Sequence, residues 1–137
     1  MTLNEKWAMS PELAKKIDDS GVVAVLVIDE VRHAVPMARA LLQGGVDAIE
    51  LTLRTPAAID SAKAIKKEVP EITLGFGTVL TTDQVKAVVD VGADFAVSPG
   101  CNPKIISEAR KQGLDFNRYE FYQKRLQKRS SFLQQLS

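Results

Sequence analysis

Short apolar runs alternate along the chain with segments whose apolar residues recur every three to four positions. Four such runs lie at 22–28, 48–53, 72–79 and 94–100. The periodic segments carry helix signals, such as Ser10-Pro11 before the first segment and Gly21 after it. Strands that alternate this regularly with helices predict a parallel sheet with helices packed outside it.

The later helices are also bounded by capping residues, glycine or proline. Asp29 can cap the second helix, which ends at Gly44-Gly45, and Pro36 fits it only if it lies near the first turn. The other predicted helices run from Pro56 to Ile65, from Thr81 or Thr82 onward, and from Asn102-Pro103 to Lys111. A fifth strand is predicted to begin at Leu114-Asp115-Phe116.

Two architectures fit repeated strand–helix units, namely a (β/α) barrel and an open doubly wound sheet. Polar residues lie at the ends of successive strands of this chain: Glu50 and Arg54, then Thr78, then Ser98-Pro99-Gly100. A barrel draws its active site from the carboxyl ends of many strands at once. We therefore expect a barrel.

Glu50 stands out because it lies inside an otherwise apolar strand. A buried parallel strand is normally a run of aliphatic residues, and a buried carboxylate costs several kcal/mol unless it is paired or has a function. One interpretation is structural: the strand alternates, and Glu50 faces solvent or pairs with Arg54. The other is that Glu50 is a functional acid or base.

Composition excludes several classes of function. The chain has 137 residues, enough for one modest core, and its net charge of +1 does not favour nucleic acid or an anionic membrane as a partner. The single cysteine, Cys101, excludes a disulfide framework and a zinc cluster. No apolar run reaches the roughly 20 residues of a membrane span, and the first residues do not resemble a signal peptide. We expect a cytoplasmic protein.

The last segment, 117–137, differs in composition from the rest. It has five basic residues and one acid, and it holds four of the eight aromatic residues. It could be a basic amphipathic helix, an RNA-binding tail, or sequence foreign to the domain, for example after a frameshift. We favour the third interpretation, because Asn-Arg-Tyr-Glu is unsuited to continue a barrel strand.

Four motifs occur in order along the chain: His33–Ala38, Gly45–Thr55, Gly75–Leu80 and Phe95–Gly100. They resemble the motifs of the 2-keto-3-deoxy-6-phosphogluconate (KDPG) and 4-hydroxy-2-oxoglutarate (KHG) aldolase family. The resemblance covers about residues 10–116, and we expect 1–116 to be the amino-terminal part of the barrel.

The resemblance implies a (β/α)₈ TIM barrel of the class I aldolase type, of which this chain covers the first four to five βα units. It implies a homo-oligomer, a trimer in the family, with no cofactor and no metal ion. The substrate would be a keto-deoxy sugar acid phosphate or 4-hydroxy-2-oxoglutarate, cleaved to pyruvate and an aldehyde through a lysine Schiff base.

The resemblance also assigns roles to residues. Glu50 matches the general acid/base, Arg54 and Thr78 match the residues that hold the pyruvate carboxylate, and Pro99 matches the pocket wall. Nothing after Phe116 resembles the Schiff-base lysine motif, and Lys124 and Lys128 lie in charged surroundings. Two hypotheses follow: an aldolase that is incomplete or inactive as written, or an inert half-barrel that serves as an assembly or binding piece.

Overall fold

Five parallel strands form one sheet in the computed structural model, which describes residues 9–100 and 102–118. The sheet order is β1-β2-β3-β4-β5, the same as the order along the chain. The strands are β1 (Ala24–Leu26), β2 (Ala48–Thr52), β3 (Thr73–Gly77), β4 (Phe95–Ser98) and β5 (Phe116–Arg118).

A helix precedes each strand. The helices are α1 (Pro11–Ser20), α2 (Ala34–Gln43), α3 (Ala58–Glu68), α4 (Thr82–Val91) and α5 (Pro103–Lys111). The second helix begins later than Asp29, because a 3₁₀ helix at Val31–His33 comes first. Pro36 therefore lies in the first turn of α2, where its missing N–H breaks no hydrogen bond of the helix.

Side chains cap three of these helices as their sequences predict. The Ser10 hydroxyl accepts the Leu13 N–H at the start of α1, and the Asn102 side chain accepts the Lys104 N–H at the start of α5. Thr81 and Gln84 form a reciprocal capping box on α4. These caps satisfy N–H groups that the first turn of a helix leaves unpaired.

The sequential strand order distinguishes the two candidate architectures. An open doubly wound sheet reverses its strand order and carries helices on both faces. Here Ile49 and Leu51 of β2 align with Leu74 and Phe76 of β3, and all four belong to the core that α2 to α5 cover. Parallel strands in sequential order with α2 to α5 on one face are the arrangement of a barrel, so the predicted α/β fold with a parallel barrel-type sheet is confirmed.

The opposite, inner face of the sheet is covered at one end by α1. Leu13 and Ile17 of α1 pack there against Phe95 and Val97 of β4. Val25, which aligns with Glu50, remains 47% exposed.

Within the described part of the chain, none of the helices combines the length and apolar character that crossing a bilayer requires.

The fifth strand extends beyond the boundary expected at residue 116. Asn117 aligns with Val97 and Arg118 with Ser98, so the first two residues of Asn-Arg-Tyr-Glu do continue a strand, contrary to the expectation, and the other two lie outside the described residues. Asn117 is buried, and its Nδ2 has no hydrogen-bond partner among the described residues. Cys101 and residues 119–137, including Lys124 and Lys128, lie outside the described residues.

Candidate active site

Glu50 is buried in the middle of β2, with only 1% of its surface exposed. It aligns with Val25 of β1 and with Gly75 of β3, on the inner face of the sheet. It neither faces solvent nor forms an ion pair with Arg54, so the structural interpretation of this residue is wrong. The carboxylate instead lies on the inner face of the sheet, opposite the face that α2 to α5 cover.

Burial changes the protonation of this carboxyl group. Loss of water around the carboxylate raises the pKa of Glu50 from 4.5 to about 7. Its Oε2 has no hydrogen-bond partner among the described residues. A carboxyl group with this pKa is present in both protonation states near neutral pH, as a group that alternately accepts and donates a proton requires.

Gly77 provides the space for the Glu50 side chain, a role that the sequence reasoning missed. A Cβ at position 77 would overlap Glu50 Oε1. The available signal was the pair of glycines, Gly75 and Gly77, inside a predicted strand, since a strand glycine often marks a close approach of another group.

Arg54 lies in the turn directly after β2 and is exposed. Within the described residues its guanidinium takes part in no ion pair. The turn is fixed at both sides: the Leu53 N–H donates to the Gly77 carbonyl at 3.0 Å, and the Thr55 hydroxyl donates to the Ile28 carbonyl. A free cation on a fixed turn is suited to binding an anion.

Thr78 follows β3 with a backbone φ of 61° and is half-buried. This left-handed conformation is unfavourable for a β-branched residue, and such strain is concentrated at functional sites. Among the described residues, Thr78 is the one non-glycine residue with a positive φ.

Pro99 follows β4 and is exposed, next to the buried Ser98. The Gly100 N–H donates to the Ser98 hydroxyl at 3.4 Å, which closes the turn. Because β2, β3 and β4 are parallel neighbours, Arg54, Thr78 and Pro99 lie at the same edge of the sheet. The predicted site thus consists of one buried carboxyl group, that of Glu50, and three residues that follow the carboxyl ends of β2, β3 and β4.

A charged cleft lies at the other end of the strands, away from these residues. Lys66 Nζ is 3.6 Å from the Asp94 carboxylate, which also accepts the Leu74 N–H at 2.8 Å. Asp94 therefore stabilises the start of β3. Among the described residues, no three His, Cys, Asp or Glu side chains are grouped to hold a metal ion.

Comparisons with known proteins agree with this geometry. The family model "KDPG and KHG aldolase" matches residues 13–116. A KHG/KDPG aldolase of Escherichia coli (strain K12) is 50% identical over 105 residues, which are 77% of this chain and 48% of that protein. The chain thus spans about half the length of the curated relatives it matches.

Two solved structures are similar to the computed one. The 2-keto-3-deoxy-6-phosphogluconate aldolase of Zymomonas mobilis ZM4, solved with 3-phosphoglycerate, has a TM-score of 0.71 at 36% identity, over 81% of this chain and 52% of that chain. The KDPG aldolase from Legionella pneumophila, with pyruvate captured as a covalent carbinolamine intermediate, has a TM-score of 0.71 at 37% identity, over 75% of this chain and 50% of that chain.

Proposed function

The chain belongs to the family of KDPG and KHG aldolases, and we propose that it supplies the acid/base and carboxylate-binding part of a class I keto-acid aldolase. The substrate is 2-keto-3-deoxy-6-phosphogluconate or 4-hydroxy-2-oxoglutarate, and the products are pyruvate and glyceraldehyde 3-phosphate or glyoxylate. The observation that carries the proposal is the burial of Glu50 on the inner face, which raises its pKa to about 7.

Glu50 acts as the proton shuttle. In a class I aldolase, a lysine amine condenses with the keto group, and the protonated imine accepts the electron pair released by C–C cleavage. The substrate hydroxyl loses its proton as the aldehyde leaves, and the former carbanion carbon gains a proton. A carboxyl group with a pKa of about 7 can make both transfers at neutral pH.

Arg54 and Thr78 bind the carboxylate of the keto acid. Arg54 is a cation without an ion pair in the described part of the chain, and its planar fork matches a carboxylate. Thr78 adds a hydroxyl donor from the adjacent strand end, and Pro99 contributes an apolar wall from the next.

The nucleophilic lysine is not among the described residues. Every lysine of residues 9–118 lies in a helix, so none projects from a strand into the inner face: Lys15, Lys16, Lys63, Lys66, Lys67, Lys86, Lys104 and Lys111. The family resemblance assigns this residue to a sixth strand, whereas the described sheet has five. The described part of the chain therefore provides the proton shuttle without the imine-forming group.

A chimera tests the proposed function directly. Residues 1–116 would be joined to the carboxyl-terminal part of the E. coli KHG/KDPG aldolase, and cleavage of both substrates would be measured. We expect activity that falls about 10²–10⁴-fold in Glu50→Gln. Glu71→Gln, at an exposed glutamate remote from the inner face, is the matched control and should leave activity unchanged. A folded but inactive parent chimera, or near-normal turnover in Glu50→Gln, would contradict the proposal.

A second candidate is an inert half-barrel that serves as an assembly or binding piece. It is favoured by two exposed valines, Val25 at 47% on the inner face of the edge strand β1 and Val27 at 51% directly after that strand, because exposed apolar side chains at a sheet edge favour association. A homo-oligomer, such as the family's trimer, would bury apolar surface. Analytical ultracentrifugation of the 137-residue chain over a range of concentrations distinguishes a monomer from such an assembly.

A further inference from the structure

Gly75 and Gly77 lie two residues apart in β3 and face the same side of the sheet as Glu50. We propose that Gly77 is a positioning residue: the absence of a side chain at this position creates the space that holds the Glu50 carboxylate in its enclosed position. This inference rests on the proposed acid/base function and deepens it.

The close approach of the two residues carries the inference. A Cβ at position 77 would overlap Glu50 Oε1, and it would lie 3.0 Å from Cδ and 3.4 Å from Cγ. Gly77 is not among the glycines with a positive φ, so its conformation is open to any residue. Space alone requires a glycine at this position.

The strand at Gly77 cannot move aside easily. Its carbonyl accepts the Leu53 N–H at 3.0 Å, which belongs to the pairing of β2 with β3. Glu50 is also enclosed, with 1% of its surface exposed. A methyl group at 77 would therefore displace the carboxylate from its enclosed position.

The two carboxylate oxygens have different surroundings. Oε1 lies over Gly77, whereas Oε2 is buried and has no hydrogen-bond partner among the described residues. The same enclosure keeps water away and raises the pKa of Glu50.

Gly75 offers a matched control in the same strand and on the same face. A Cβ at position 75 would overlap the ring of Phe95 and would not meet Glu50 within its nearest contacts. Substitution of either glycine by alanine introduces the same methyl group into β3. Only the substitution at 77 should act through Glu50.

The experiment follows the titration of Glu50 by ¹³C NMR, in the full 137-residue chain labelled at the glutamate carboxyl carbon, with Glu50→Gln used to assign the signal. We expect a midpoint near pH 7 in the unsubstituted chain and a shift toward 4.5 in Gly77→Ala, because the displaced carboxylate regains water. Gly75→Ala should keep the midpoint near 7. A folded Gly77→Ala variant with an unchanged midpoint, or an unsubstituted chain that titrates near 4.5, overturns the proposal.

A rescue experiment covers the case in which Gly77→Ala fails to fold. Glu50→Asp shortens the side chain by one methylene and withdraws the carboxylate from position 77. We expect it to restore folding, or to raise the urea midpoint, of Gly77→Ala but not of Gly75→Ala. Failure of Glu50→Asp to rescue an unfolded Gly77→Ala overturns the proposal. Neither the titration nor the rescue experiment measures turnover. Failure of the proposal for Gly77 is therefore distinguishable from failure of the proposed aldolase activity, which the chimera measures.

Discussion

The carboxylate of Asp115 accepts the backbone N–H of Ser10, at 3.2 and 3.3 Å from its two oxygens. Ser10 is the N-cap of α1, and Asp115 directly precedes β5, 105 positions later. The contact ties the first helix to the last described strand. It holds the start of α1 at the end of the sheet where β5 begins.

We expect Asp115→Ala to lower the free energy of unfolding by about 1–2 kcal/mol, because a charge-assisted hydrogen bond is lost at a half-buried position. Asp115→Asn keeps one acceptor oxygen and should have a smaller effect. Urea denaturation of the full chain measures both. The control is Asp90→Ala, at an exposed position in α4. Equal effects at 115 and 90 would contradict a role for the contact.

The raised pKa of Glu50 makes stability depend on pH. The folded-state pKa is about 7 and the ordinary value 4.5, so between these values the folded state holds a proton that the unfolded state has lost. The extra proton therefore stabilises the folded state. This contribution to the free energy of unfolding is fully present below pH 4.5, and up to about 3 kcal/mol of it is lost as the pH rises to 7. Glu50→Gln should remove this loss and be more stable than the unsubstituted chain at pH 8. Parallel pH profiles of the two proteins in urea denaturation would show that Glu50 is not the titrating group.

The left-handed backbone conformation of Thr78 should lower the stability of the folded chain. A left-handed residue with a Cβ costs about 1–2 kcal/mol relative to one without it. We therefore expect Thr78→Gly to be more stable than Thr78→Ala by about 1 kcal/mol, while both lose the hydroxyl and bind pyruvate more weakly in the chimera. Thermal unfolding and pyruvate binding separate the two effects. Equal stability of the two variants would show that the backbone at 78 is not strained.

Arg54→Lys keeps the positive charge but loses the planar fork of the guanidinium. In the chimera we expect the affinity for pyruvate to fall about tenfold, which corresponds to one charge-assisted hydrogen bond. The amount of borohydride-reduced adduct at increasing pyruvate concentrations gives this affinity. Arg39→Lys, at an exposed arginine that pairs with Glu68 on the helical side, should bind normally. Unchanged affinity in Arg54→Lys would refute the assignment.

The 137-residue chain should not form a borohydride-reducible adduct with pyruvate. The described lysines lie on helices, and those of the tail, Lys124 and Lys128, occur among other charged residues, where an amine remains protonated. Intact mass measurement after reduction tests this expectation, with the chimera as the positive control. A stoichiometric adduct mapped by peptide mass to Lys124 would contradict it.

Local chemistry explains why much of the fold could be predicted. The starts of α1, α4 and α5 depend on side chains that bond the backbone two or three residues away, and the sequence contains both partners. Glycine at 21 and 92 ends helices for an equally local reason, its low-cost left-handed conformation. The strands are shorter than predicted because an apolar run does not show where pairing with a neighbour stops.

The candidate site was predictable only in part. Glu50, Arg54, Thr78 and Pro99 stand out in sequence as polar or rigid residues in or after apolar runs. The glycines at 75 and 77 indicate a close approach of another group, but they do not show which group approaches. That Glu50 is this group depends on β2 and β3 lying side by side, which brings together residues more than twenty positions apart. The backbone strain at Thr78 could not be read from the apolar runs.

The sequence by itself determined the alternation of helix and strand and the presence of a carboxylate inside an apolar strand. Only the tertiary structure decided which way that carboxylate faces and how much water it retains. A strand that is apolar on both sides has no polar face to reveal its orientation, so the neighbours of Glu50 are unknown until the sheet forms. Its pKa of about 7 results from burial among distant parts of the chain. Desolvation is a property of the packed sheet and cannot be assigned to any single segment.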